Sequence, residues 1–196
     1  RLVVQSGTYG NQAARFCRHV AWYLRYSPAC PGRDTVSVLT SMAEDAAALL
    51  RERGETIVVA ETSTGGLISS ALLAVPGASA YYKGGSVLYT FESRRKLLGI
   101  TRQDVEGLAP MSEGMVMAFA RKAQDQFDAT WAIAELGIAG PTGVAYGEAG
   151  SSVIGIAGPH PISGLLETGS DDREKNMWRF TEHAFALLCR ALANAG

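Results

Sequence analysis

The sequence predicts an α/β fold: a single three-layer α/β/α domain around a mixed sheet. Three observations predict it. Short β-branched runs alternate with longer stretches whose apolar residues recur at helical spacing. The run Thr56-Ile57-Val58-Val59-Ala60 leads through Gly65-Gly66 straight into the helical stretch Leu67–Ala74, which gives strand, glycine turn and helix in the order layered α/β folds use. A last stripe of Met177, Phe180, Ala184, Leu188 and Ala191 at helical spacing needs another layer to bury it.

Residues 1–34 show no period and contain the turn-rich Pro28-Ala29-Cys30-Pro31-Gly32, so they read as a loosely packed extension. The first strong element begins near Thr40, where Ser41 and Glu44 have capping-box spacing. Ala46, Leu49 and Leu50 continue it to the stop signal Gly54. The strand over 56–60 and the helix over 67–74 follow, closed by Pro76-Gly77. Ser86–Thr90 reads as a second strand after a Gly84-Gly85 turn, and Glu92–Leu98 as a short basic helix ended by Gly99. Ser112 caps a long helix with Met115, Phe119, Ala123 and Phe127 roughly on one face. Thr130–Leu136 is a third strand, running into a glycine-dense stretch from Gly137 to Gly150. Ser152–Ala157 and Gly164–Thr168 are two more strands. Ser170-Asp171-Asp172 supplies the acidic start of the final helix.

Composition limits the function classes. The 196 residues are 47% hydrophobic and carry net charge −1, which excludes disorder along the whole chain. No run approaches the roughly 18 apolar residues of a membrane span. The first 39 residues carry five arginines against one aspartate, +4, and the other 157 sum to −5. The near-neutral total argues against a strongly basic nucleic-acid binder, and the five arginines, scattered among aromatics, read as a bland extension rather than a polybasic arm. Cys17, Cys30 and Cys189 show no metal-ligand spacing, and His19, His160 and His183 are far apart, so no metal site is expected. Cys189 lies in an apolar run and reads as core. With no leader segment visible, a reducing cytoplasm is the expected compartment.

Chemistry is expected where strands meet glycine turns. Glu61-Thr62-Ser63-Thr64-Gly65-Gly66 puts hydroxyls and flexible backbone between a strand end and a helix, where open α/β sheets bind ligands. On this segment alone, a hydroxyl that merely caps the helix is the more ordinary reading. Gly137-Ile138-Ala139-Gly140-Pro141-Thr142-Gly143 also follows a strand directly, and is neither a Walker A loop nor G-x-G-x-x-G. Two such turns point to one shared cleft. Ser93-Arg94-Arg95-Lys96 matches S-x-x-K, but its companion K-T-G is absent and it reads as a surface helix.

Taken together, these segments resemble the CinA C-terminal domain family, over about residues 40–196, with residues 1–39 outside the match. The family's A-E-S-C-T-G-G is Ala60-Glu61-Thr62-Ser63-Thr64-Gly65-Gly66 here. Its P-G-x-S followed by G-G is Pro76-Gly77-Ala78-Ser79 with Gly84-Gly85. Its Y-S-N-E-A-K is Tyr89-Thr90-Phe91-Glu92-Ser93-Arg94, followed by Leu97-Leu98-Gly99. Its T-G-I-A-G-P-x-G is Leu136 through Gly143, and its G-D-R-E is Asp171-Asp172-Arg173-Glu174.

The resemblance implies a nicotinamide mononucleotide deamidase, which hydrolyses the carboxamide to nicotinate mononucleotide and ammonia, without a cofactor and as a homo-oligomer. It also implies the site: Thr62, Arg94 and Tyr89 at catalytic positions, with Glu61, Ser63, Thr64, Gly65, Gly66, Gly137, Gly140 and Arg173 holding substrate. Here the family's nucleophilic serine is Thr62 and its activating lysine is Arg94. Arginine stays protonated and cannot serve as base, although it can hold a phosphate. The threonine before G-I-A-G-P is Leu136, preceded by Glu135. The serine–lysine mechanism therefore cannot run unchanged. Thr62 would need another activator, Tyr89, Glu61 or Glu135, or Ser63 would be the nucleophile. Two readings follow: an amidohydrolase with altered machinery, placed first, and a non-catalytic nucleotide- or phosphate-binding module. An enzyme for another amide or nucleotide is a third.

Overall fold

The computed structural model describes residues 38–195. The extension read over residues 1–34, with Cys17, Cys30 and His19, lies outside them. In chain order the elements are α1 (Val38–Arg53), β1 (Ile57–Glu61), α2 (Leu67–Ala74), β2 (Tyr82–Val87), α3 (Phe91–Leu97), α4 (Glu113–Phe127), β3 (Trp131–Ile138), β4 (Ser151–Ala157), β5 (Ile162–Glu167) and α5 (Arg173–Ala193). The sheet order is β2-β1-β3-β4-β5. β1 pairs in parallel with β2 and β3, while β3–β4 and β4–β5 are antiparallel. The sheet is mixed, as expected.

Strand alternation divides the core into two layers. Ile57 and Val59 of β1, Trp131 and Ile133 of β3, and Ile154 and Ile156 of β4 pack with α1, α2 and α5. Val58, Ala60, Ala132, Ala134 and Leu136 face the other way, onto Val116, Phe119, Ala120 and Ala123 of α4. Each buried aliphatic or aromatic side chain contributes about 1.5–3 kcal/mol of transfer free energy, so this double burial holds the layers together. Cys189 is half-buried against the first cluster.

Several boundaries differ from the sequence reading. α1 already includes Val38, so Ser41 is not a cap; its Oγ donates to Val38 O at 2.9 Å. The second strand is Tyr82–Val87, not 86–90, and Gly84-Gly85 lies within it, paired with Val58 and Val59. Helix α2 lies so close that a Cβ on Gly85 would come within 2.7 Å of Ser69 Oγ. Thr90 is the cap of α3 and exchanges hydrogen bonds with Ser93, which occupies the hydroxyl of the S-x-x-K match. β3 continues through Gly137, paired with Ser152, before the glycine turn begins. Ser112 caps α4 as read, and within the acidic start read for the last helix the cap is Asp172.

The chain leaves β1 for β2 on one side and then crosses to β3 on the other. The carboxyl ends of β1 and β3 therefore flank a topological switch point, where the two adjoining connections leave a crevice.

Candidate functional site

Alternation sets the chemistry of the crevice floor. Glu61 continues the Ile57–Val59 face of β1, and Glu135 continues the Trp131–Ile133 face of β3. Both carboxylates therefore end on the same side of the sheet, and both are fully buried. Buried carboxylates need donors, and the Thr62–Gly66 turn supplies them.

Glu61 serves the start of α2. Its Oε2 accepts from Gly66 N at 2.9 Å and Ile68 N at 3.2 Å; its Oε1 accepts from Ser69 N at 3.1 Å and Ser69 Oγ at 2.6 Å. The cap of α2 is thus not a hydroxyl of residues 62–64. Gly66 is the cap residue and has left-handed backbone with φ 104°, a conformation glycine adopts without strain. The acceptor comes from Glu61, where negative charge meets the helix N-terminus.

Glu135 holds the turn itself. Its Oε2 accepts from Thr62 N at 2.9 Å and Thr64 N at 3.2 Å, and its Oε1 accepts from Ser63 Oγ at 2.6 Å. Thr62 Oγ1 lies 3.3 Å from Glu135 Oε2 and accepts from Gly137 N at 3.3 Å. The single hydroxyl proton of Thr64 has two carboxylates in reach, Glu61 at 2.7 Å and Glu135 at 3.2 Å. Burial raises the Glu135 pKa above the ordinary carboxylate value, and the charge of Glu61 adds to the rise, while bonds from Ser63, Thr62 and Thr64 oppose it. Gly137 makes the approach possible, because a Cβ there would fall on Ser63 Oγ and Glu135 Oε1.

Above this floor lies an open cleft of about 320 Å³ lined by Ser63, Tyr89, Arg94, Gly137, Ile138, Ala139, Gly140, Thr142, Val144, Tyr146 and Arg173. A smaller apolar recess of about 120 Å³ shares Arg94, Gly137, Ile138 and Tyr146 with it and adds Phe91, Pro110, Met111, Met115 and Leu136. Arg94 stands at the junction, its guanidinium 5.2 Å from the Phe91 ring and 5.7 Å from that of Phe119, with Nε donating to Leu88 O at 3.1 Å. Burial lowers its pKa from the ordinary value, opposed by Tyr146 and Glu135. Arg173, in the first turn of α5, donates to Gly140 O at 2.8 Å and to Tyr89 OH at 3.1 Å. The ion pairs among the described residues are Lys96–Glu92, Lys122–Asp104 and Arg179–Glu182, so neither cleft arginine has a carboxylate partner.

Of the residues singled out in the sequence, Ser63, Tyr89, Arg94, Gly137, Gly140 and Arg173 meet in the cleft. Glu61, Thr62, Thr64, Gly65 and Gly66 lie beneath or beside it and do not line it. Thr62 and Ser63 are both buried, at 3% exposure, but only Ser63 reaches the cleft wall. Tyr89 is not in a strand; it follows β2 and is 58% exposed. Sequence reasoning missed Tyr146 and the apolar recess. An aromatic inside a glycine-dense loop was the available signal for Tyr146. No group of three His, Cys, Asp or Glu side chains suited to a metal occurs among the described residues, and no helix there is long and apolar enough to cross a membrane.

The model of the CinA C-terminal domain family matches residues 39–192. A CinA-like protein of Prochlorococcus marinus is 42% identical over 132 residues, 67% of this chain and 30% of that protein. A CinA-like protein of Synechocystis is 37% identical over 132 residues, 67% of this chain and 32% of its own. The chain thus spans about a third of the length of these curated relatives. Among solved structures, a competence-damaged protein (CinA) superfamily protein from Klebsiella pneumoniae superposes with TM-score 0.73 at 26% identity, covering 81% of this chain and 99% of that one. A competence or damage-inducible protein from Enterobacter asburiae gives 0.72 at 26%, covering 80% and 99%.

Proposed function

The chain belongs to the CinA C-terminal domain family, and from that membership we propose that its cleft binds a small phosphate-bearing amide of the nicotinamide mononucleotide type and hydrolyses it to the acid and ammonia. The observation that carries this reading is the pair Arg94 and Arg173, two guanidiniums without carboxylate partners among the described residues, on one cleft above a hydroxyl floor. Such groups favour an anion, and arginine's fork suits phosphate oxygens. The recess beside Arg94, walled by Phe91, Met111, Met115 and Leu136, suits a flat ring. A ligand with a ring, a phosphate and a carboxamide uses all three regions.

The replacement of the family's lysine by Arg94 favours a second reading, in which the cleft binds the nucleotide without turning it over. One experiment separates them. The full chain is incubated with nicotinamide mononucleotide, and ammonia and nicotinate mononucleotide are quantified while the melting temperature is followed with rising ligand. Ammonia above the blank, with matching acid, supports hydrolysis. A melting shift with no ammonia leaves the binding module, since a ligand that prefers the folded state stabilises it. Neither signal overturns both.

A further inference from the structure

We propose that Ser63 and Glu135 form a nucleophile–base pair at the floor of this cleft, replacing the residues that the family's serine and lysine positions no longer supply. The inference rests on the amide-hydrolysis reading for its substrate, but its geometry stands apart from it.

Three observations carry it. Ser63 Oγ donates to Glu135 Oε1 at 2.6 Å, within the reach a general base needs. Ser63 lines the cleft, whereas Thr62 does not, and Thr62 Oγ1 is engaged beneath it by Gly137 N and Glu135. Glu135 is fixed by Thr62 N and Thr64 N on its other oxygen, which leaves Oε1 for Ser63, with Ser152 Oγ more distant at 3.5 Å. Gly137 keeps the space around both reacting groups open.

The chemistry balances without a further reagent. Ser63 Oγ attacks the carboxamide carbon as its proton passes to Glu135, and the carbonyl electron pair moves onto oxygen. Arg94, on the same cleft wall, faces that negative charge. Collapse breaks the C–N bond, and the proton on Glu135 goes to nitrogen, so ammonia leaves and an acyl ester remains on Ser63. Water then attacks the ester and gives a proton to Glu135. Collapse frees the acid, and the proton returns to Ser63. The groups whose charge bears on Glu135 are Glu61 of β1 and Arg94 of α3. The raised Glu135 pKa makes its ionised form a stronger base than an ordinary carboxylate.

The test uses the intact chain and a fluorophosphonate, which labels activated hydroxyls and needs no amide. The expected result is one adduct, mapped to Ser63 by peptide mass spectrometry and absent from Ser63→Ala. The labelling rate should rise with pH as Glu135 ionises and fall at least tenfold in Glu135→Gln. Glutamine is a fair probe because its oxygen can accept from Thr62 N and Thr64 N while its NH2 donates to Ser63. Should that variant fail to fold, the pH profile of the unaltered chain decides. An adduct on Thr62, labelling no faster than in Ser63→Ala, or a flat pH profile overturns the pair. A chain labelled at Ser63 that releases no ammonia overturns the proposed substrate and keeps the pair. Ammonia release that survives Ser63→Ala overturns the pair and keeps the substrate.

Discussion

Arg173 donates to the Tyr89 hydroxyl at 3.1 Å, joining the first turn of α5 to the loop that follows β2. The same guanidinium holds Gly140 O at 2.8 Å and lies 5.7 Å from the Tyr89 ring centre. One side chain thereby ties two segments of the cleft wall together and still presents positive charge to the opening.

The first prediction concerns ligand charge. If the proposed ligand's phosphate lies on Arg173, Arg173→Ala removes a charge-assisted contact of the kind worth about 1.5–3 kcal/mol. Calorimetric titration with nicotinamide mononucleotide is expected to show affinity lower by roughly 10- to 100-fold. Tyr89→Phe, which keeps the ring and the charge beside it, is expected to cost much less. Equal affinity in Arg173→Ala would place the phosphate elsewhere.

Glu61 supports a second prediction, this time about stability. Glu61→Ala strips acceptors from Gly66 N, Ile68 N and Ser69 N and leaves a void at the start of α2. An unsatisfied buried donor costs about 1–3 kcal/mol, and even one such loss lowers the melting temperature of a domain this size by several degrees, at about 2–4 °C per kcal/mol. The total expected from circular-dichroism melting is a fall of about 10 °C or more. A fall under about 2 °C would mean that water replaces the carboxylate.

Glu135 gives stability a pH dependence of fixed sign. Its pKa in the folded chain is raised by burial, so the unfolded chain releases this proton at lower pH. Its contribution is complete below the unfolded value of about 4.3 and is lost as pH rises through the folded value. Denaturant midpoints measured across that window should fall with pH more steeply in the unaltered chain than in Glu135→Gln, which cannot titrate. Parallel curves would remove Glu135 as the cause.

A fourth variant tests the close approach at the floor. Gly137→Ala places a methyl group onto Ser63 Oγ and Glu135 Oε1 and within 3.1 Å of Phe180. Overpacking of this kind costs about 1–3 kcal/mol. The expected result is a lower denaturant midpoint together with loss of fluorophosphonate labelling. Labelling at the original rate would show that the floor yields without consequence.

Much of the fold was legible because its signals are local. The β-branched run before Gly65-Gly66, the caps at Ser112 and Asp172, and the Met177–Ala191 stripe report on their own neighbourhoods. Gly84-Gly85 misled because glycine marks turns by default; here Gly84 is demanded by the Phe127 ring at the end of α4 and Gly85 by Ser69 of α2 and Tyr82 of the strand itself, contacts that only the packed fold supplies. The site was legible as two loops that must meet, and six of the residues singled out do line one cleft. Their division of labour was not legible. Which of three consecutive hydroxyls faces the opening depends on how the turn is pinned, and the pinning group, Glu135, lies 73 residues from Thr62. Likewise, the sequence showed that Arg94 could not be a base, but its position between Phe91 and Phe119 required α3 and α4 to be packed together.

The pairing of β1 with β3 has a consequence for which changes the chain can accept. Ala60 lies opposite Ala134, so the two carboxylates emerge on the same side one residue later. Successive strand residues point to opposite faces, so slippage by one position would exchange Glu135 for Leu136. A carboxylate would then enter the apolar layer around Phe119, and the Thr62–Thr64 turn would lose its acceptor. Deleting a single residue in β3 ahead of position 135 is thus a more severe lesion than most substitutions at the cleft itself, because it moves a carboxylate into one apolar layer and exchanges Trp131 and Ile133 with the alanines of the opposite face.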